Sequence, residues 1–298
     1  MASSLPPLFS AEGGSKSHAR SVSWPSESHP IAVSVDDAIH RLKSIDDKPT
    51  SSFGSISYGL ASLEDLHIHI ADLLVMASAQ QALRQEDRAT NALLDSSVLL
   101  LDVCRVARDI ISQVKEFVQL FRLSIRRRKC DMGNMGGLRE YVNFRNKTRK
   151  DAKRLISAMK RMQRRLDVTL KSNQDLQASA VMKVLREVDE LGMARFQSML
   201  QPFLNPASRT KQSRWLLISR LAHMGKVAID ENPENVDKLE SIDAAIYALS
   251  KCTSNDAETT EIQLQHAEEN INDLELALES MFRQLVRSRA CLLNVISQ

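Results

Sequence analysis

Few residues in this chain have the types and spacing that chemistry requires. Glu64-Asp65-Leu66-His67 has the Glu-x-x-His spacing that carboxylate-bridged di-metal centres place on two helices of a bundle, beside two further Glu. It occurs once where such a centre needs it twice, so it reads as an exposed Glu next to a partly buried His. His67 and His69 are two apart; on a helix they face different ways and cannot share an ion. Cys104, Cys130, Cys252 and Cys291 are scattered without a Cys-x-x-Cys pair. Gly-x-Ser-x-Gly, a phosphate loop and His-Glu-x-x-His are absent from the sequence. The reading is therefore no catalytic, cofactor-binding or metal-binding residues, and no enzyme.

Two other groups of residues are built to meet charge. In Arg20-Ser21-Val22-Ser23-Trp24-Pro25 an Arg stands three residues before a Ser, as basophilic kinases prefer. Once Ser23 is phosphorylated, Arg20, Ser23 and Pro25 match the ligand pattern of 14-3-3 adaptor proteins, in which an Arg cluster holds the phosphate and the Pro turns the chain out of the groove. The second group is a basic patch formed by Arg126, Arg127, Arg128, Lys129, Arg145, Lys147, Arg149 and Lys150. Between Arg122 and Arg165 sixteen Lys or Arg face three acids, net +13, whereas between Asp230 and Glu279 the balance is −12. Three readings compete: acidic C-terminal helices neutralise the basic pair internally, an acidic partner or anionic membrane surface binds the patch, or nucleic acid does. The near cancellation favours the first. The third is weakest, because only Phe121, Tyr141 and Phe144 are at hand for base stacking and no reading module is recognisable.

The elements that position these groups are helices. The chain has 298 residues, 43% hydrophobic and 4% aromatic, with nine Gly, eight Pro and a net charge of +3. So little Gly and Pro argues against an all-β sandwich or a Gly-rich nucleotide-binding sheet. No apolar run reaches the roughly 18 residues of a membrane span. Residues 1–31 hold nine serines and four prolines, too polar to offset the entropy of ordering, and predict a disordered arm. In the arm Glu12 and Glu27 balance Lys16 and Arg20, a poor match to an Arg-rich transit peptide; a cytoplasmic protein, peripheral to a membrane or not, is expected, with plastid import as the alternative.

From Ser34 the period is helical. Ser34 with Asp37 predicts a capped helix with Val35, Ile39 and Leu42 inward, and 47–57 a loop. A second helix is expected over 60–84, with Leu63, His67, Ile70, Leu74 and Ala77 on one face. Leu93, Ser97, Leu100, Cys104, Ala107, Ile111, Val114, Val118, Phe121 and Ile125 step by fours and threes, a heptad seam of more than four repeats. Glycines at 133–137 predict a turn, then a fourth helix over 138–171 whose seam is interrupted by Arg145. Further helices are predicted over 174–200, 210–227 and 233–251. A last long seam runs from Leu264 through Ile271, Leu278, Leu285 and Ser288 to Val295. The prediction is all-α: one elongated multi-helix bundle over 32–298, with long antiparallel helical hairpins.

Several blocks resemble a plant-specific family of helical proteins related to BYPASS. They are Arg20 to Pro30, Asp95 to Cys104, Lys115-Glu116 with Leu123 to Arg128, and Phe282 to Asn294. Trp24 stands where the family usually has Leu, and Ala290-Cys291 where it has Val-Ser. The resemblance implies a non-enzymatic protein of root and shoot development that acts through an unidentified protein partner. It supplies no site residues.

Overall fold

A computed structural model describes residues 29–46, 52–127, 134–171, 180–205, 239–249 and 257–297. Of the disordered arm expected at 1–31, residues 1–28 lie outside these residues, whereas Pro30 and Ile31 open a helix; the expected helix at 210–227 lies outside them too, as do the ends of the predicted 174–200 and 233–251 helices. The described residues form α1 (Pro30–Asp46), α2 (Phe53–Val75), α3 (Ala77–Gln85), α4 (Asp87–Arg126), α5 (Asn134–Lys171) and α6 (Ala180–Leu200). A 3₁₀ turn, η1 (Gln201–Leu204), then α7 (Leu239–Leu249) and α8 (Ala257–Ser297) complete them, without a strand. The all-α bundle is the observed architecture.

α4 and α8, each about 60 Å long at 1.5 Å per residue, pack together over most of that length. On α4 every predicted seam residue from Leu93 to Phe121 is buried, and Ile125 is half-buried at the end. On α8 the whole seam from Leu264 to Val295 is buried. The two run antiparallel: Arg289 reaches the Leu94 carbonyl at one end and Arg126 reaches Glu261 at the other. α2 covers a second face of α8, parallel to it, with Ser280 donating to Glu64 and Ser288 beside His67. α5 lies antiparallel on the far side of α4; Phe117 meets Tyr141 and Phe144 at one end, and Arg165 meets Asp95 at the other. α6 packs against α2, α4 and α5 and closes the bundle.

The element boundaries depart from the sequence reading in four places. α1 starts at Pro30, whose fixed φ suits a first helical position, so Ser34 lies inside the helix and caps nothing. α2 starts at Phe53, because Ser52 is its N-cap and accepts from the Ser55 amide at 3.1 Å; Gly54 belongs to the helix. The expected single helix over 60–84 is two, broken by extended Met76. No Gly or Pro marks that break. Gln80 stabilises it, donating to the orphaned carbonyls of Leu74 and Val75 at 3.3 and 3.4 Å. The kink turns Ala77 outward and buries Ala79 instead. Finally, α5 begins at Asn134, so Gly136 and Gly137 sit in its first turn rather than in a reversal.

The seam of α4 carries the bundle. Replacing Ile111 with Ala should cost about 2–5 kcal/mol by lost transfer energy and residual cavity. Leu276→Ala, at an exposed position of α8, should stay within about 0.5 kcal/mol of the parent. Chemical denaturation of the two variants compares them; equal losses would mean that the seam is not the core.

Candidate functional site

Two clusters of buried polar groups bind distant elements together. The first lies between α2, α4, α6 and α8. His67 and Ser288, both buried, are in hydrogen-bond contact at 3.1 Å between Nδ1 and Oγ. They line a cavity of about 30 Å³ with Ser97, Asp189 and apolar neighbours that include Leu93, Leu100 and Leu285. Burial lowers the His67 imidazole from 6.5 to about 4, so it is neutral at pH 7. Burial likewise pushes the Asp189 carboxyl from 3.8 up to about 7; Ser96 opposes that shift and the Glu190 charge adds to it. His67 Nε2 and Asp189 Oδ2 have no hydrogen-bond partner among the described residues. A His beside a Ser hydroxyl is half of a nucleophile–base arrangement. Here the space is that of one water molecule, which leaves no room for a substrate.

The second place joins α5 to α7 and η1. Arg145 is 1% exposed and donates to both carboxylate oxygens of Asp243, from Nε at 3.0 Å and Nη2 at 2.9 Å. Tyr141 Oη donates to the same carboxylate at 2.6 Å, and the guanidinium stacks over the Phe203 ring. Burial, reinforced by the Asp243 charge, raises the Tyr141 phenol well above 10, so it stays a donor at any physiological pH. Fork geometry of this kind fixes register as well as energy.

Charge on the outside is divided between two helices. Along the α4–α8 interface Arg108 pairs with Glu279, Lys115 with Glu275, Arg122 with Glu268 and Arg126 with Glu261. Burial alone would raise the Glu268 carboxyl, but Gln119 and Arg122 outweigh it and hold it below its ordinary 4.5. The bases recur at 108, 115 and 122, one heptad apart on the flank of the seam, where charge selects partner and register. α5 packs instead on α4, α6 and η1, and its outward face is basic.

A family model described as Protein BPS1 matches residues 59–295, nearly the whole of the helical part. The chain belongs to that family. BPS1-family membership associates it with plant development. No curated protein and no solved structure matches the chain.

Against the BPS1-family fold, the residues singled out from sequence scatter. Arg20, Ser23, Pro25, Arg128 and Lys129 lie outside the described residues. Arg145 does not belong to the basic patch: it is buried and neutralised by Asp243, because the α5 seam passes through it. Arg149 is half-buried, Arg126 is paired with Glu261, and Arg127, Lys147 and Lys150 are exposed. Glu64 is half-buried, where an exposed Glu is expected, and accepts from Ser280; His67, expected to be partly buried, is fully so. No cluster of three metal-ligating side chains forms among the described residues. Cys104 packs in the seam, where burial raises its thiol to about 12 and leaves it unreactive. The sequence reading missed Asp189, Ser288 and Asp243. Their signal was a polar residue on an apolar helix face, with partners that only packing supplies.

The pocket sets opposing pH dependences. Folded His67 binds its proton less tightly than the unfolded chain does, so its contribution is full above pH 6.5 and is lost as pH falls toward 4. Folded Asp189 holds its proton up to about pH 7, so its contribution is full below 3.8 and is lost as pH rises toward 7. Over the shared window the two slopes cancel. Asp189→Asn should therefore lose stability on acidification and His67→Gln on alkalinisation, each by up to about 1.4 kcal/mol per pH unit. Urea titrations between pH 4 and 7 read both signs, and parallel curves for the two variants would refute the assignment. At the second place, Asp243→Asn strands a buried guanidinium and should cost about 3–5 kcal/mol. Asp95→Asn, which breaks the exposed pair with Arg165, should cost under about 1 kcal/mol by the same measurement.

Proposed function

We propose that the protein acts in root and shoot development as a non-enzymatic interaction protein, binding partners through its exterior and through the Ser-rich arm. The observation that carries this reading is the closed interior. The polar pocket between α2, α4, α6 and α8 has about 30 Å³ of space, and its His–Ser contact lies among packed Leu93, Leu100 and Leu285. Polar groups held in that way tie helices together and leave recognition to the surface. In the arm, Arg20, Ser23 and Pro25 supply a docking sequence for a 14-3-3 adaptor after phosphorylation. The BPS1-family association with plant development supports the setting.

Rescue of a loss-of-function plant line separates the interior from the arm. Asp189→Asn keeps the shape of the side chain and should restore root and shoot growth. Ser23→Ala should not, and the same protein should no longer be captured by the adaptor. A folded Asp189→Asn protein that fails to rescue, beside a Ser23→Ala protein that succeeds, overturns the proposal and returns the polar pocket as the active centre.

A further inference from the structure

The outward face of α5 has no counterpart among the described residues. At about 100° per residue, Arg139, Lys147, Lys150, Lys153, Arg154, Lys160, Arg161, Arg164 and Arg165 fall within an arc of about 140°, and all are exposed. The same arc contains Asn143, Asn146 and Ser157 but no acid; Glu140, Asp151 and Asp167 lie at its margins or beyond. Only Arg154, with Asp151, and Arg165, with Asp95, have a carboxylate partner among the described residues. The opposite face of α5, with Tyr141, Thr148, Ala152, Leu155 and Met159, is buried. The result is a line of unneutralised positive charge about 40 Å long on a helix that is held along its back.

Among the described residues little else cancels it. Four of the seven acids of α8, Glu261, Glu268, Glu275 and Glu279, pair with Arg126, Arg122, Lys115 and Arg108 on α4, and Glu269 pairs with His266 on its own helix. Outside the described residues the sequence holds twelve Lys or Arg against ten Asp or Glu, so it contributes no acid surplus. Among the described residues, the internal cancellation expected from the +13 and −12 segments therefore holds between α4 and α8 and at Arg145 with Asp243, and does not reach most cations of the outward face of α5. Nine like charges on one exposed face repel one another, and a fold that keeps them presents them to an anion.

We infer that the outward face of α5 is an adsorption surface for an anionic lipid bilayer. The shape fits: a single-sided line of charge on a rod meets a plane along its whole length. Each Lys or Arg near an anionic leaflet strengthens binding about fivefold. The adsorption is electrostatic, because Val168, near the end of α5, is the one large apolar side chain exposed among the described residues of this helix, and no described helix is long and apolar enough to cross a membrane. Nucleic acid fits less well. Tyr141 and Phe144 point inward, stacked with Phe117, so the face offers no platform for bases. A straight line of about 40 Å also leaves a duplex groove that curves away beneath it. The surface is the flank of the rod and not its tip: Arg126 is paired and Arg145 is buried.

The test is co-sedimentation of the full chain with vesicles of phosphatidylcholine alone or mixed with phosphatidylserine. Binding to the mixed vesicles only, and its loss in raised salt, is expected. Lys150→Gln, Lys153→Gln, Arg161→Gln and Arg164→Gln combined should weaken partitioning by about two to three orders of magnitude. A control with Arg41, Arg105, Arg283 and Arg287 changed to Gln alters the net charge equally but leaves α5 intact, and should lose far less. These side chains are exposed, so an unchanged melting temperature should accompany both sets. Equal binding to neutral vesicles, no binding to anionic ones, or equal losses in the two sets overturns the inference. So does a DNA or RNA duplex that binds the α5 face more tightly than the mixed vesicles and displaces them, which would reassign the face to nucleic acid.

Discussion

The structure depends on one constraint: α4 must bury apolar side chains against several neighbours at once. Its seam from Leu93 to Phe121 faces α8, and Ile110 and Phe117 widen the stripe toward α5 and α6. A single zipper partner would need a narrower stripe. A helix with a face for each neighbour becomes an axis, and the places of α5, α6 and α8 follow from which part of α4 each one covers.

Such packing is tolerant of sliding, because one turn of leucines resembles the next. The polar residues remove that freedom. His67 with Ser288 fixes α2 against α8, and Arg289 with Ser97 and the Leu94 carbonyl fixes α8 against α4. Arg145 with Asp243 and Tyr141 fixes α7 against α5. Each costs desolvation that an apolar pair would avoid, so their contribution lies in alignment more than in net stability. The ladder of part-buried pairs from Arg108 to Arg126 acts in the same sense, setting the register of α8 on α4.

Charge is thus used in two ways on neighbouring rods. Between α4 and α8 it is matched and turned inward to the interface. On α5 it is unmatched and turned outward.

The helices themselves were legible in the chain, because burial against neighbouring rods imposes a three- and four-residue step and each seam records it. The long seams of α4 and α8 could be read residue by residue for that reason. Start and stop points were less legible: the break at Met76 depends on a side chain, Gln80, reaching back to carbonyls, and no Gly or Pro announces it. The fate of the polar residues was not legible at all. Arg145 looked like one more cation in a basic run, yet packing places Asp243, ninety-eight positions away, against it and buries both. The total charge of each segment was fixed by composition, but which cations are neutralised depends on which helix lies beside which. A local sequence dictates the face a side chain takes on its own helix. Only the tertiary structure decides what waits on the other side, because partners distant in the chain are brought together by the burial of residues that are not themselves involved.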